Sequence, residues 1–212
     1  MEYETPKSKC ELCGSEFTGQ GMTRHIKSCL KKHLQKKVSK GKPQDLLLLN
    51  VADAFNPDYF LYLLLGAKTT LEDLDGFLRD IWLECCGHMS AFSFERYGDE
   101  IDMRQKAANF FEIGRKVVYQ YDFGSTTELN IRAMGRYHVS MDKKIQIISR
   151  NAPPIIPCDH CKSKPAIQIC TECMWDGEGW LCEDCAQSHE CDEEMFLPVV
   201  NSPRTGVCAY DG

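Results

Sequence analysis

TTLEDLDGFLRDIWLECCG, residues 69–87, is the stretch on which the fold class turns. Leu71, Leu74, Phe77, Leu78, Ile81, Trp82 and Cys85 recur at three- and four-residue spacing, and Glu72, Asp73, Asp75, Arg79, Asp80 and Glu84 take the other face. That pattern predicts an amphipathic helix over Thr70–Cys86. Thr69 with Glu72 reads as a capping box and Gly87 as the stop. Strand-like runs lie outward from the helix: Tyr59–Leu65 before it, then Ala91–Tyr97, Val117–Phe123, Glu128–Met134 and Ile145–Ile148. Asp102–Gly114 leans helical. Strands outnumber helices, so the expected class is α+β, with a mostly antiparallel sheet and one long helix.

The rest of the chain flanks this body with cysteine. Of the 13 Cys among 212 residues, 11 lie outside residues 44–149. An odd count cannot pair fully within one chain, and most sit as C-x2-C, which suits metal thiolates better than a disulfide lattice. Charge is segregated too. Residues 1–42 carry +6, 43–149 carry −5 and 150–212 carry −7, within a net −6. Only the N-terminal part favours polyanions. The first residues lack an apolar core, and Tyr59–Ala67 is far short of the ~18 residues of a membrane helix. The expectation is a cytoplasmic protein with no membrane role, in a reducing compartment where zinc is the default partner of free thiols. The reading divides the chain into a zinc-finger-like unit (1–30), a lysine-rich linker (31–43), an α+β domain (44–149), a Pro-rich linker (150–157) and a double-zinc module (158–212).

Cys10-x2-Cys13-x11-His25-x3-Cys29 is a four-ligand set. A C-x2-C turn points two sulfurs at one ion, and a helix puts His25 and Cys29 on one face. Four such ligands in a tetrahedron select Zn(II). Phe17 and Met22 would supply a small core. The unit resembles the two-Cys two-His finger family, with the last His replaced by Cys and one loop residue deleted. That resemblance implies base-facing positions at Thr18, Gly21 and Arg24, of which only Arg24 is a strong base reader. Arg24, Lys27, Lys31, Lys32, Lys36 and Lys37 form a basic helix and tail. Contact with nucleic acid phosphates through residues 1–42, without sequence reading, is the expectation, against a plainly solvated charge run.

Cys158, Cys161, Cys170, Cys173, Cys182, Cys185, His189 and Cys191 form eight candidate ligands, enough for two closed tetrahedra. Interleaving joins Cys158, Cys161, Cys182 and Cys185 in one site and Cys170, Cys173, His189 and Cys191 in the other. Sequential pairing would instead join the first two pairs. Cys208 is a spare thiol that could displace Cys191, and His160 reads as an exposed ring. The interleaved version looks like the cross-brace modules of B-box, MYND and ZZ type. About three Zn(II) per chain follow. Trp175 and Trp180 flank an acidic turn, which suits a cationic protein partner for residues 158–212 or merely covers a small core.

FLRDIWLECCGHMSAFSF (77–94) and VVYQYDFGSTTEL (117–129), with Tyr59, Phe60, Thr70, Leu71, His88 and Phe92, resemble the plasmid pRiA4b open-reading-frame-three-like family over about residues 55–137. The resemblance implies a compact α+β fold, associates the chain with mobile elements, and implies no established chemistry. Where that family continues with Asp, an aromatic and His after Tyr-Asp-Phe-Gly, this chain has Ser125, Thr126, Thr127 and Glu128. The leading expectation is a non-enzymatic zinc adaptor. Its alternatives are an enzyme using a cleft near Cys86, His88 and Asp122, with zinc structural, and a purely structural protein-interaction module.

Overall fold

The computed structural model describes residues 5–36 and 43–212. A short hairpin of β1 (Ser8–Lys9) and β2 (Glu16–Phe17) leads into α1 (Gly19–Lys36). The body follows as β3 (Pro43–Asp53), β4 (Phe60–Gly66), α2 (Leu71–Leu78), β5 (Ser90–Ser93), α3 (Ala107–Phe110), β6 (Lys116–Tyr121), β7 (Thr127–Ser140) and β8 (Ile145–Arg150). A cysteine-rich excursion then carries β9 (Gln168–Cys170), β10 (Trp180–Leu181), α4 (Glu183–Gln187) and β11 (Phe196–Pro198). Six strands form the main sheet in the order β5-β6-β7-β3-β4-β8, every neighbouring pair antiparallel. The fold is therefore mixed helix and sheet, with the antiparallel sheet expected.

The single long helix is not observed. Among the described residues the α-helices are four segments, and the stretch expected as Thr70–Cys86 is helical only over Leu71–Leu78, then a π-helical turn over Arg79–Leu83. Glu84 is already extended, so the helix stops before Gly87. The cap also lies one residue later than expected. The Asp73 N–H donates to Thr70 Oγ1 at 3.1 Å, and the Thr70 N–H donates to Asp73 Oδ2 at 3.0 Å. Thr69 is buried instead, its hydroxyl donating to the Lys144 carbonyl. The early stop lets residues 84–88 leave the helix as a turn, with Cys85 still packed against the core.

β3 is the element absent from the sequence reading, and it is central. Leu47, Leu49 and Val51 join α2, Trp82 and Leu83 in one core, while Leu46 and Leu48 join the opposite face. β4 does the same, with Leu61, Leu63 and Leu65 against Phe60, Tyr62 and Leu64. Both strands are buried on both faces, which is why LLLL and FLYLLL show no alternation. The second face is covered by α1, whose Met22, Ile26 and Leu30 pack on Phe60, Tyr62, Leu64 and Ile148. The hairpin also joins the sheet edge, with the Glu11 N–H donating to the Ile148 carbonyl at 2.9 Å and Ser149 Oγ donating to the Lys9 carbonyl at 2.9 Å. The N-terminal unit is thus a lid on the sheet. The lysine-rich stretch beyond Lys36 lies outside the described residues.

The cysteine-rich excursion leaves and re-enters the α+β domain at one place. Asn151 Nδ2 donates to Asn201 Oδ1 at 2.6 Å, Asn201 Nδ2 donates to the Asn151 carbonyl at 3.0 Å, and Arg150 Nη2 donates to the Asn201 carbonyl. The expected module over 158–212 therefore has two parts. Residues 158–198 hold the paired cysteines, and residues 199–212 return to the sheet. Ser202 Oγ donates to the Trp82 carbonyl at 2.6 Å, and Arg204 is fully buried.

Candidate metal centres

Among the described residues, four groups of ligand atoms converge, each with its atoms within 4.8 Å of one another. They are Cys10, Cys13, His25 and Cys29; Cys158, Cys161, Cys182 and Cys185; Cys170, Cys173, His189 and Cys191; and Cys85, Cys86, His88 and Cys208. All 13 cysteines are free thiols. The first three groups contain the twelve residues singled out in the sequence, and the interleaved arrangement is the one adopted. Cys208 does not approach Cys191; it sits in the fourth group. His160 is exposed and belongs to no group.

Donor chemistry and spacing fit a tetrahedral ion. Zn–S bonds of ~2.3 Å and Zn–N bonds of ~2.0 Å put sulfurs about 3.8 Å apart and sulfur about 3.5 Å from nitrogen. Cys10 and Cys29 Sγ are 3.8 Å apart, Cys161 and Cys182 3.8 Å, and Cys173 and Cys191 3.5 Å. Cys13 Sγ lies 3.3 Å from His25 Nε2. His189 Nε2 is buried with no hydrogen-bond partner, an orphan that a cation in its group would satisfy.

Local sequence explains each knuckle. Gly14, at φ +75°, lets the Cys10–Cys13 turn close, with its N–H donating to the Cys10 carbonyl at 2.8 Å. Phe17 stacks on His25 with ring centroids 4.2 Å apart and holds the imidazole toward the thiols. In the cross-brace, a Cβ on Gly179 would lie 2.5 Å from Met174 Cα, so only glycine fits there. Trp175 is 79% exposed and covers no core, whereas Trp180 is half-buried beside β9.

Thiol electrostatics repeat from group to group. A hydrogen bond from the Ser15 side chain brings Cys13 down to about 6, while burial pushes Cys29 up to about 12. The Ser163 side chain brings Cys161 down to about 6, and the bond to Cys182 pushes Cys185 up to about 12. Cys191 rises to about 12 through its bond with Cys173. Within a group some thiols deprotonate easily while burial or a neighbouring sulfur opposes others, so full deprotonation calls for a cation in the middle.

Cys86 and His88 belong to the fourth group, and Asp122 flanks it. Cys86 Sγ lies 3.0 Å from His88 Nε2, and Asp122 Oδ2 lies 3.6 Å from the same nitrogen. Cys86 has two further sulfur neighbours, Cys85 Sγ at 3.6 Å and Cys208 Sγ at 3.4 Å. Asp122 does not lie in a strand. β6 ends at Tyr121, and Asp122 has φ +64°, with Oδ1 accepting the Gly124 and Ser125 N–H groups. Burial pushes its carboxyl up, but the Arg204 guanidinium and those N–H groups outweigh it, and the net shift is downward. His138 is remote, paired with Asp45 at 2.8 Å on the exposed end of β7.

Sequence reasoning missed the partnership of Cys85, Cys86 and His88 with Cys208. No spacing rule joins ligands 122 residues apart. The base-reading positions inferred from the finger resemblance fare unevenly. Arg24 is exposed, while Thr18 Oγ1 accepts the Gly21 N–H at the start of α1.

No family model matches the chain, and no curated protein matches it. Among solved structures, a protein of unknown function from Methanosarcina mazei Go1 is similar at a TM-score of 0.42 and 14% identity, over 50% of this chain and 67% of that one. No helix among the described residues is long and apolar enough to cross a membrane.

Proposed function

We propose that the protein is a non-catalytic zinc adaptor, with an α+β body of the pRiA4b type, a basic face for nucleic acid and an acidic face for protein. The observation that carries the reading is the convergence of Cys10, Cys13, His25 and Cys29, and of the two interleaved sets in 158–191, into closed four-ligand groups with tetrahedral spacing. Three Zn(II) at these positions would be structural, since all four ligands of each come from the chain and no coordination position is left for a reactant.

The two faces follow from what is exposed. Arg24, Lys27, Lys31 and Lys32 lie on the solvent side of α1, opposite the Met22–Ile26–Leu30 face that grips the sheet. Such a row suits phosphates and gives salt-steep, sequence-tolerant binding. On the cross-brace, Trp175 stands beside Asp176 and Glu178, all exposed, which suits a cationic peptide segment.

Metal analysis of the reduced protein tests the zinc reading, and an RNA or DNA titration across salt tests the basic face. Lys27→Glu, Lys31→Glu and Lys32→Glu together should abolish binding while leaving the urea midpoint in place. Binding that survives the triple substitution unchanged would remove nucleic acid from the function, and a protein free of zinc would remove the adaptor reading altogether.

A further inference from the structure

The structure assigns a fourth zinc site to Cys85, Cys86, His88 and Cys208, and to its ion the role of fastening the returning C-terminal segment to the α+β domain. The spacing is that of the other three groups. Cys86 Sγ is 3.6 Å from Cys85 Sγ, 3.4 Å from Cys208 Sγ and 3.0 Å from His88 Nε2, and Cys208 Sγ is 3.6 Å from the same nitrogen. Three sulfurs and one imidazole make the Cys3His set that zinc takes in closed tetrahedral sites. A Cys86–Cys208 disulfide is the competing arrangement. It needs the sulfurs at ~2.05 Å and would leave Cys85 and His88 with no reason to converge.

The surroundings are those of a metal ligand shell. Arg204 Nη2 lies 3.5 Å from Cys85 Sγ and 2.7 Å from Asp122 Oδ2, so a buried cation donates to a sulfur that would otherwise be an ordinary thiol. Arg79 Nη2 donates to the His88 carbonyl at 2.7 Å, and the Gly87 N–H and Tyr121 hydroxyl both donate to Glu84 Oε1. These bonds hold residues 84–88 in the turn that aims three ligands at one point before any ion arrives. Cys208 adopts φ +57°, a left-handed conformation uncommon for a non-glycine residue. With three thiolates and Zn(II) the centre carries −1, where three bare thiolates would carry −3.

The ion would join two parts of the chain that sequence keeps far apart. Residues 199–212 already bond to the domain through Ser202 and Arg204, and zinc would close this return at its end. Cys13 and Cys161 are exposed too, but each of the other three groups holds at least one buried cysteine and this one holds none, so its ion should also be the first that a chelator reaches.

The test uses the full chain, reduced and loaded with zinc alone. Elemental analysis should give four Zn(II) per chain, falling to three in Cys208→Ser and in His88→Ala. Cys158→Ser should lose its own ion and retain the fourth. As a check that needs no variant, limiting chelator followed by alkylation and peptide mapping should label Cys85, Cys86 and Cys208 together, ahead of all other cysteines. Three zinc ions in the wild type with Cys208→Ser unchanged, or a Cys86–Cys208 disulfide in the zinc-loaded protein, would overturn the site and leave the three-zinc reading standing. No zinc at all would overturn both.

Discussion

Replacing Arg204 probes how the C-terminal return is held. Its side chain is 0% exposed and that of Asp122 8%, with Nη2 to Oδ2 at 2.7 Å. Nη1 also donates to the Ser125 carbonyl and Thr127 Oγ1 at 3.1 Å each, and the guanidinium lies 4.8 Å from the Tyr121 ring centroid. Arg204→Met keeps most of the volume and leaves the Asp122 charge buried without its cation. Breaking a buried pair from one side costs about 3–5 kcal/mol. Asp122 retains the Gly124 and Ser125 N–H donors, so about 3 kcal/mol is expected. At an m-value of about 2 kcal/mol per M urea, that moves the unfolding midpoint down by roughly 1.5 M. Asp122→Asn strands the arginine instead and should cost a similar amount. Asparagine tolerates the left-handed backbone at this position and keeps the turn. In the double variant neither charge is orphaned, so the losses should fall short of additivity by about 2–3 kcal/mol. The assay is urea unfolding in excess zinc, followed by tryptophan fluorescence. A loss below about 1 kcal/mol in Arg204→Met, or strict additivity in the double variant, would refute the claim that this pair anchors the segment.

Other expectations follow from the same contacts. Ile26→Ala removes a fully buried side chain between α1 and the sheet and should cost about 2–5 kcal/mol by thermal or urea unfolding, a loss that a freely tethered finger would not transmit to the body. Thr70→Ala removes the N-cap of α2 and should cost about 1 kcal/mol. The Lys144 ammonium bonded to Asp73 holds that carboxyl below its ordinary range, so its contribution is present above the ordinary carboxylate pKa and is lost as pH falls through the lowered folded value. The stability gap between wild type and Asp73→Asn should therefore close on acidification, measured by unfolding at a series of pH values. For nucleic acid, each of Lys27, Lys31 and Lys32 that contacts a phosphate should lower the slope of log K against log salt by about 0.9 when neutralised to Gln, read from fluorescence anisotropy.

What the sequence disclosed depended on whether the signal was local. The twelve residues that converge in the first three groups were legible because C-x2-C and helical spacing are short-range patterns. The antiparallel sheet was legible from short aromatic and β-branched runs such as Val117–Tyr121 and from the imperfect alternation of Ala91–Tyr97. β3 was not: buried on both faces, it shows no period of two, and its LLLL run lacks the aromatics that marked the equally buried β4 as a strand. The length of the helix at 70–86 was overestimated because its apolar spacing continues through the π turn to Cys85, and the backbone leaves the helix at Glu84 to carry Cys85, Cys86 and His88 toward Cys208. Nothing within nineteen residues reports a requirement set by a partner at the other end of the chain. The docking of α1 was hidden for a related reason. Phe17 and Met22 look sufficient for the small core of an autonomous finger, and only the unmatched second face of β4 calls Met22, Ile26 and Leu30 elsewhere.

The docked helix changes how the N-terminal unit must be tested. Removing residues 1–42 would strip Phe60, Tyr62, Leu64 and Ile148 of their cover and expose a contiguous apolar sheet face. Lost nucleic acid binding in such a truncation would then report aggregation as readily as lost charge, so surface charge reversal on the intact lid is the interpretable experiment. The same geometry gives the first metal group a second task. Cys10 and Cys29 are buried against the sheet, so an ion there would fix the hairpin to α1 and, through them, the lid to the body. Chelation should therefore loosen one whole face of the α+β domain. Exchange protection of β4 amides is the readout: if it stays intact when that group is emptied, α1 is held by its apolar face alone and the metal stabilises only the knuckle.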